Sequence, residues 1–176
     1  AWIAQTLYTI QKQTLKDIEI IVWNDGCTDR TMEIVEKLAL KDKRIKIGGT
    51  KENQGCSKAW NQLRSLITAP YICIASGDDI YDRRRAQITK DYFDKHPNIH
   101  CMYGSFVRTS ATNKILEVKT AKPFVREAIF EPNNQYIPHG FMSVRWEVLR
   151  DVPYDETLKY GIDYREIFNG EEFVYD

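Results

Sequence analysis

The sequence lacks several features, and each absence excludes a class of protein. It has no net charge: 25 Lys+Arg stand against 25 Asp+Glu. A chain built to coat nucleic acid carries a basic excess, so that role is disfavoured, although a local basic patch is not excluded. No apolar run approaches the roughly 20 residues needed to cross a bilayer. The opening Ala1-Trp2-Ile3-Ala4-Gln5 has neither the basic start nor the apolar core of a signal peptide. The cysteines Cys27, Cys56, Cys73 and Cys101 make no C-x-x-C pair, and His96, His100 and His139 add no zinc-type spacing. Reduced thiols are therefore expected, with Cys73 a small buried hydrophobe in its apolar run. Internal repeats and low-complexity tracts are also missing. What remains is a chain of 176 residues, 43% hydrophobic. That length suits one domain able to bury about two thirds of its unfolded surface without staples.

What is present is an alternation of periodicities. Residues 2–13 read as an amphipathic helix, and residues 18–23 as a β-branched strand ended by Asn24-Asp25-Gly26. Asp29 is placed to cap a helix over 31–40, with Ile34, Val35 and Leu38 on one side. A strand over 44–47, a helix over 57–67 and a buried strand over 71–75 follow. Ser76-Gly77-Asp78-Asp79 terminates that strand, a helix runs over 83–95 to Pro97, and 99–106 is strand-like. Such alternation predicts an α/β fold with a mostly parallel sheet between helices, and ligands beyond the carboxyl ends of its strands. Beyond 107 the pattern loosens, with a loop over 121–138, short helices over 144–152 and 160–168, and a strand-like close over 171–176.

Two strand ends are acidic. Asp78-Asp79 sets two carboxylates side by side, which suits a divalent ion held with substrate phosphates, or a solvated turn capping the next helix. Asp25 can accept from a nucleobase ring N–H, and Gly26 lets the backbone approach a ligand; an Asx turn with Asp29 as cap is the alternative. Lys51-Glu52-Asn53-Gln54-Gly55 sits between strand and helix, where N–H groups meet phosphate or ring hydroxyls, or it is a plain loop. Gly161-Ile162-Asp163-Tyr164 offers a general base or a helix cap. Arg83-Arg84-Arg85 either neutralises a leaving group or forms a solvated turn. His139, in Pro138-His139-Gly140, is a pocket or packing residue.

The order of these segments is more specific than any one of them. Gln13-Thr14-Leu15, then 19–31 with Trp23-Asn24-Asp25-Gly26-Cys27-Thr28-Asp29, then Arg44-Ile45-Lys46, Glu52-Asn53-Gln54-Gly55, and Tyr71-Ile72 leading into Asp78-Asp79 resemble the family two glycosyltransferases. The likeness spans most of 1–105 and continues more weakly through 138–145 and 161–164. It implies a GT-A fold and an inverting, nucleotide-sugar-dependent enzyme. That enzyme would move a hexosyl or N-acetylhexosaminyl group, from a UDP-linked donor, to a hydroxyl of a glycan or lipid-linked acceptor in polysaccharide synthesis.

The resemblance implies roles by position. Asp25 would contact the uracil, with Asn24, Lys51, Asn53, Gly55 and His139 on the donor. Asp79 would bind Mn2+ or Mg2+ bridging the diphosphate, Asp78 would lie towards the sugar or ribose, and Asp163 would be the catalytic base. Residues 1–106 would form the nucleotide-sugar-binding half and 107–176 the acceptor side. The expected location is the cytoplasm or the inner face of the membrane as a peripheral protein, with no nucleic-acid partner. The family's first strand would fall before Ala1 and the end would continue, so the chain is expected to be a piece of a longer domain. Departures from the pattern are Asn24 where Asp is common, Cys27 for Ser, Trp60 for an Arg near the donor, and Ile162 for Glu beside Asp163. A nucleotidyltransferase and a non-catalytic nucleotide-sugar-binding module of similar fold are the alternatives.

Overall fold

The computed structural model describes residues 2–121, 139–151, 153–157 and 173–175. The element order is α1 (Ile3–Gln11), β1 (Ile20–Asp25), α2 (Thr31–Ala39), β2 (Ile45–Thr50), α3 (Cys56–Leu63), β3 (Tyr71–Cys73), α4 (Arg85–Lys95), β4 (Cys101–Tyr103), β5 (Phe106–Thr109), β6 (Ile115–Lys119), β7 (Met142–Arg145), α5 (Trp146–Arg150) and β8 (Phe173–Tyr175). The alternation predicted over the first hundred residues is present, with boundaries moved by a few residues at most element ends.

β1 and β2 pair in parallel with flush ends, Asp25 opposite Thr50. The second sheet runs β3-β7-β4-β8. β7 is antiparallel to both β3 and β4, while β8 is parallel to β4. Three of these four strands therefore share one direction, with β7 inserted against them. The expected helix over 144–152 is a correction: Met142–Arg145 is the strand β7, and only Trp146–Arg150 is helical. Its first two residues, Val144 and Arg145, are drawn into the sheet because β3 and β4 each offer a backbone edge, which satisfies N–H and C=O groups that a helix start would leave orphaned. β5 and β6 form a separate antiparallel hairpin that the loosened pattern after 107 did not foretell. The expected helix over 160–168 lies outside the described residues.

Among the described residues three buried clusters hold these layers, the smallest being Phe93, Ile99 and Met102. Ile3 and Leu7 of α1 meet Ile20, Val35 and Ile45, which fastens α1 and α2 onto the β1-β2 pair. Ile74, Cys101, Tyr103, Met142, Val144, Leu149 and Tyr154 form the second cluster beneath the other sheet. Arg145 couples the layers of that half, donating to the carbonyls of Ile99 at 2.7 Å and Phe93 at 2.6 Å. All four cysteines are free, Cys101 being buried and its thiol pushed well up by burial. Among the described residues no helix is long and apolar enough to cross a membrane.

Candidate active site

At the carboxyl ends of β1 and β2 the chain folds back on itself. Asn24 closes an Asx turn, its Oδ1 accepting the N–H of Cys27 at 2.8 Å. Asp29 accepts the N–H of Thr31 at 3.0 Å at the start of α2, and the Thr31 hydroxyl, then this N–H, hold its carboxyl below the ordinary range. The Asp25 carboxylate is bonded on both oxygens. Oδ1 accepts the N–H of Gln54 at 2.8 Å and Oδ2 that of Gly55 at 3.1 Å, so the strand end clamps the 52–55 loop. Gly26 makes this possible. Its φ is +74°, and a Cβ there would lie 2.4 Å from the backbone N of Asn53. Asn53 Oδ1 also accepts from Gly55 N–H, at 3.2 Å. Asn24 and Lys51 line a shallow groove with Met32, Glu36 and Thr50. Asn24, Asp25, Lys51, Asn53 and Gly55 are thus brought together.

The second acidic end follows β3. Asp78 is exposed and Asp79 half-buried. Burial, and next the charge of Asp78, push the Asp79 carboxyl above its ordinary value. Tyr81 sits beneath, 6% exposed, its hydroxyl accepting the N–H of Ser76 at 2.7 Å and lying 3.5 Å from Asp79 Oδ2. Burial pushes that phenol up to about 12. The turn 139–141 closes over the same loop. A Cβ on Gly140 would lie 2.4 Å from Ser76 Oγ and 3.3 Å from Asp79 Oδ2, so only glycine admits this approach without displacement. The backbone of His139 therefore stands next to the acidic loop.

Helix α1 packs on the β1-β2 pair and reaches the second acidic end. Its apolar face belongs to the β1-β2 core, while the Thr6 hydroxyl reaches the carbonyl oxygens of Asp79 at 2.8 Å and Gly77 at 3.0 Å. Gln13, 4% exposed, donates from Nε2 to Asp82 O at 2.7 Å and accepts the N–H of Ala86 at 2.8 Å. Sequence reasoning assigned no role to Thr6, Gln13 or Tyr81. The signal for Thr6 was a polar residue on the apolar face of an amphipathic helix, beside Ile3 and Leu7; a buried hydroxyl needs a partner.

Three other expectations fall differently. Of Arg83-Arg84-Arg85, Arg84 pairs with Asp82, and Arg85 caps the Tyr81 ring and donates to Met142 O at 2.8 Å. Arg83 lines a shallow groove with Tyr8, Thr9, Lys12 and Tyr81. Trp60 packs on Tyr154, ring centres 6.3 Å apart, against the second core. Asp163 lies outside the described residues.

Two carboxylates at one strand end, one of them half-buried beside a like charge, form a donor set suited to a hard divalent ion. Such an ion can be held by one or two carboxylates and completed by substrate phosphates.

Comparison with known proteins agrees with this layout. The chain is 33% identical over 176 residues to an uncharacterized glycosyltransferase of Haemophilus influenzae, covering 93% of this chain and 54% of that protein. It is 29% identical over 155 residues to the chondroitin synthase of Pasteurella multocida, covering 86% of this chain and 16% of that one. The chain thus spans about half the length of the first relative and far less of the second. Staphylococcus aureus TarS, solved with UDP-GlcNAc, superposes with a TM-score of 0.73 at 18% identity, over 98% of this chain and 51% of that one. The Pyrobaculum calidifontis mannosyltransferase PcManGT, solved with GDP-Man and Mn2+, gives 0.73 at 16% identity, over 99% and 50%. The fold is GT-A, as these neighbours share it. Residues 1–152 match the family Glycosyl transferase family 2, and the chain belongs to that family.

Proposed function

We propose that the protein is an inverting, metal-assisted sugar transferase. It moves a hexosyl or N-acetylhexosaminyl group from a nucleoside diphosphate sugar, UDP-linked, to a hydroxyl of a glycan or lipid-linked acceptor. The observation that carries this reading is the pair of acidic strand ends: the Asp25 cradle after β1, and the Asp78-Asp79 loop after β3, held by Thr6 of α1 and by Gln13. Neighbours solved with UDP-GlcNAc, or with GDP-Man and Mn2+, support a nucleoside diphosphate donor and a divalent ion.

In this reading Asp25 keeps lone pairs for a nucleobase N–H, because a carboxylate has about four acceptor sites and two hold loop amides. Lys51, Asn53 and Gly55 border the diphosphate, with the His139-Gly140 turn on its far side. Asp79 would hold Mn2+ or Mg2+, which when bound stabilises charge on the departing diphosphate, while Asp78 lies towards the donor sugar or ribose. Asp163 takes the proton of the acceptor hydroxyl. That oxygen forms its bond to the anomeric carbon opposite the breaking C–O bond, and the nucleoside diphosphate leaves with the electron pair.

Calorimetry with UDP, with and without MnCl2, tests the metal assignment. Asp79→Asn should abolish the Mn2+-dependent part of UDP binding and leave the metal-free part within about twofold. Equal UDP binding with and without Mn2+ in the wild type would refute the metal role. Incubation with UDP-sugars and a mixed oligosaccharide acceptor should release UDP; release of pyrophosphate would instead identify a nucleotidyltransferase.

A further inference from the structure

The Asn61 side chain makes an unusual set of contacts. Its Oδ1 accepts the N–H of Tyr154 at 2.8 Å, and its Nδ2 donates to the carbonyl of the same residue at 2.9 Å. The second Nδ2 proton goes to Glu156 Oε1 at 2.9 Å, and Arg64 Nη1 approaches Oδ1 at 3.4 Å. Every donor and acceptor position of the amide is used, and reversing the amide would break all of them. A side chain that engages both polar groups of one backbone residue acts as a one-residue strand partner. It fixes position along two directions at once.

The neighbouring groups reinforce the same junction. Trp60 packs on the Tyr154 ring, Arg64 Nη2 donates to Leu149 O, and Tyr154 is 2% exposed. Trp60 and Asn61 of α3, with Arg64 just past its end, therefore hold Leu149, Tyr154 and Glu156. At its other end the same helix begins at Gly55, whose N–H is held by Asp25 in the cradle. α3 thus links the donor cradle at one end to residues 154–156 at the other.

We propose that Asn61 is a positioning residue for sugar transfer. It sets the segment 154–156, which belongs to the acceptor side in that reading, at a fixed distance from the nucleotide held by the cradle. The inference rests on the sugar-transfer reading given above. Asn61 touches neither reacting atom; it acts through the backbone of Tyr154. Misplacement of reacting groups by about 1 Å can cost a hundredfold in rate, whereas nucleotide binding depends on the far end of α3.

The test separates these effects in the full-length protein. UDP affinity is measured by calorimetry with MnCl2. Transfer is measured as UDP released from a panel of UDP-hexoses and UDP-N-acetylhexosamines with oligosaccharide acceptors. Asn61→Ala should leave the UDP Kd within about twofold and lower kcat, or raise the acceptor KM, between about ten- and a hundredfold. Amide exchange across 153–157 should quicken while 50–55 keeps its protection. Should Asn61→Ala fail to fold, Asn61→Asp decides. It keeps the acceptor for Tyr154 N–H but loses both donations, and adding Glu156→Gln restores one bond from the opposite side. The double variant should regain part of the kcat lost by Asn61→Asp. An unchanged kcat and acceptor KM in folded Asn61→Ala would overturn the proposal. So would a UDP Kd weakened in step with kcat, or equal kcat in Asn61→Asp and the double variant. Absence of UDP release by the wild type would overturn the sugar-transfer reading itself.

Discussion

Gly26 bears the tightest local constraint on the donor side. It combines a left-handed φ of +74° with a backbone N only 2.4 Å from where a Cβ would stand. Gly26→Ala must therefore either strain residue 26 or push the 52–55 loop off the Asp25 carboxylate. The expected cost is about 1–3 kcal/mol in urea unfolding, with UDP affinity falling in parallel because the cradle opens. A variant of wild-type stability and affinity would show that the loop yields freely. Gly55→Ala provides the contrast: φ is +91°, but no atom lies within 4 Å of its Cβ position, so only the backbone strain applies. At this scale the sequence was informative where chemistry is local. Asn24-Asp25-Gly26 announces a turn, and Asp78-Asp79 a charge problem. It was silent on Gly140, whose need for a missing Cβ arises from Ser76 and Asp79, more than sixty residues earlier in the chain.

Among the elements, β1 is fixed at its start by one carboxylate. Glu19 accepts the N–H groups of Thr68 at 2.8 Å and Ala69 at 2.9 Å, and pairs with Lys46 at 2.6 Å. Burial pushes its pKa up, but the bonds from Lys46, Thr68 and Ala69 outweigh this and bring it from 4.5 down to about 2. A folded pKa below the unfolded one means stability that is complete above about pH 4.5 and lost as pH falls towards 2. Glu19→Gln should then cost about 2–3 kcal/mol at pH 7, and the gap to wild type should close between pH 5 and pH 2. A pH-independent gap would mean that the charge is not what matters. α1 offers a second element-level test. Thr6→Val keeps shape and removes the hydroxyl that reaches the Gly77 and Asp79 carbonyls, so it should cost about 1 kcal/mol. It should also weaken Mn2+-dependent UDP binding more than metal-free binding. Equal loss of both would place its effect outside the acidic loop. The periodicity of α1 was legible from Ile3, Leu7 and Ile10. The strand β7 was not, because Met142–Arg145 becomes a strand only between β3 and β4, an arrangement no local pattern encodes.

Across the whole molecule, the buried clusters are separate, and polar contacts link them. Ile3, Leu7, Ile20, Val35 and Ile45 form the cluster of the β1-β2 pair, and the one around Met142 and Val144 lies at the other sheet. Between them run the α1 contacts to the 77–86 loop, the Glu19 clamp and the Asn61 bracket. A UDP-sugar lying across Asp25 and Asp79 would add a further bridge, in the proposed reading. Binding to the folded state alone stabilises by about 2.7 kcal/mol at a hundred times Kd. For a chain of this size that corresponds to a rise in Tm of roughly 5–10 °C. UDP with MnCl2 should therefore raise Tm by that amount, and UDP alone by clearly less, because only the cradle then contributes. The same scan measures the coupling of the halves. A single transition that moves as one with ligand means the polar bridges suffice to make them one cooperative unit. Two transitions, of which only the one reporting the β1-β2 core moves with UDP, would place the nucleotide wholly in the cradle and remove Asp79 from the site.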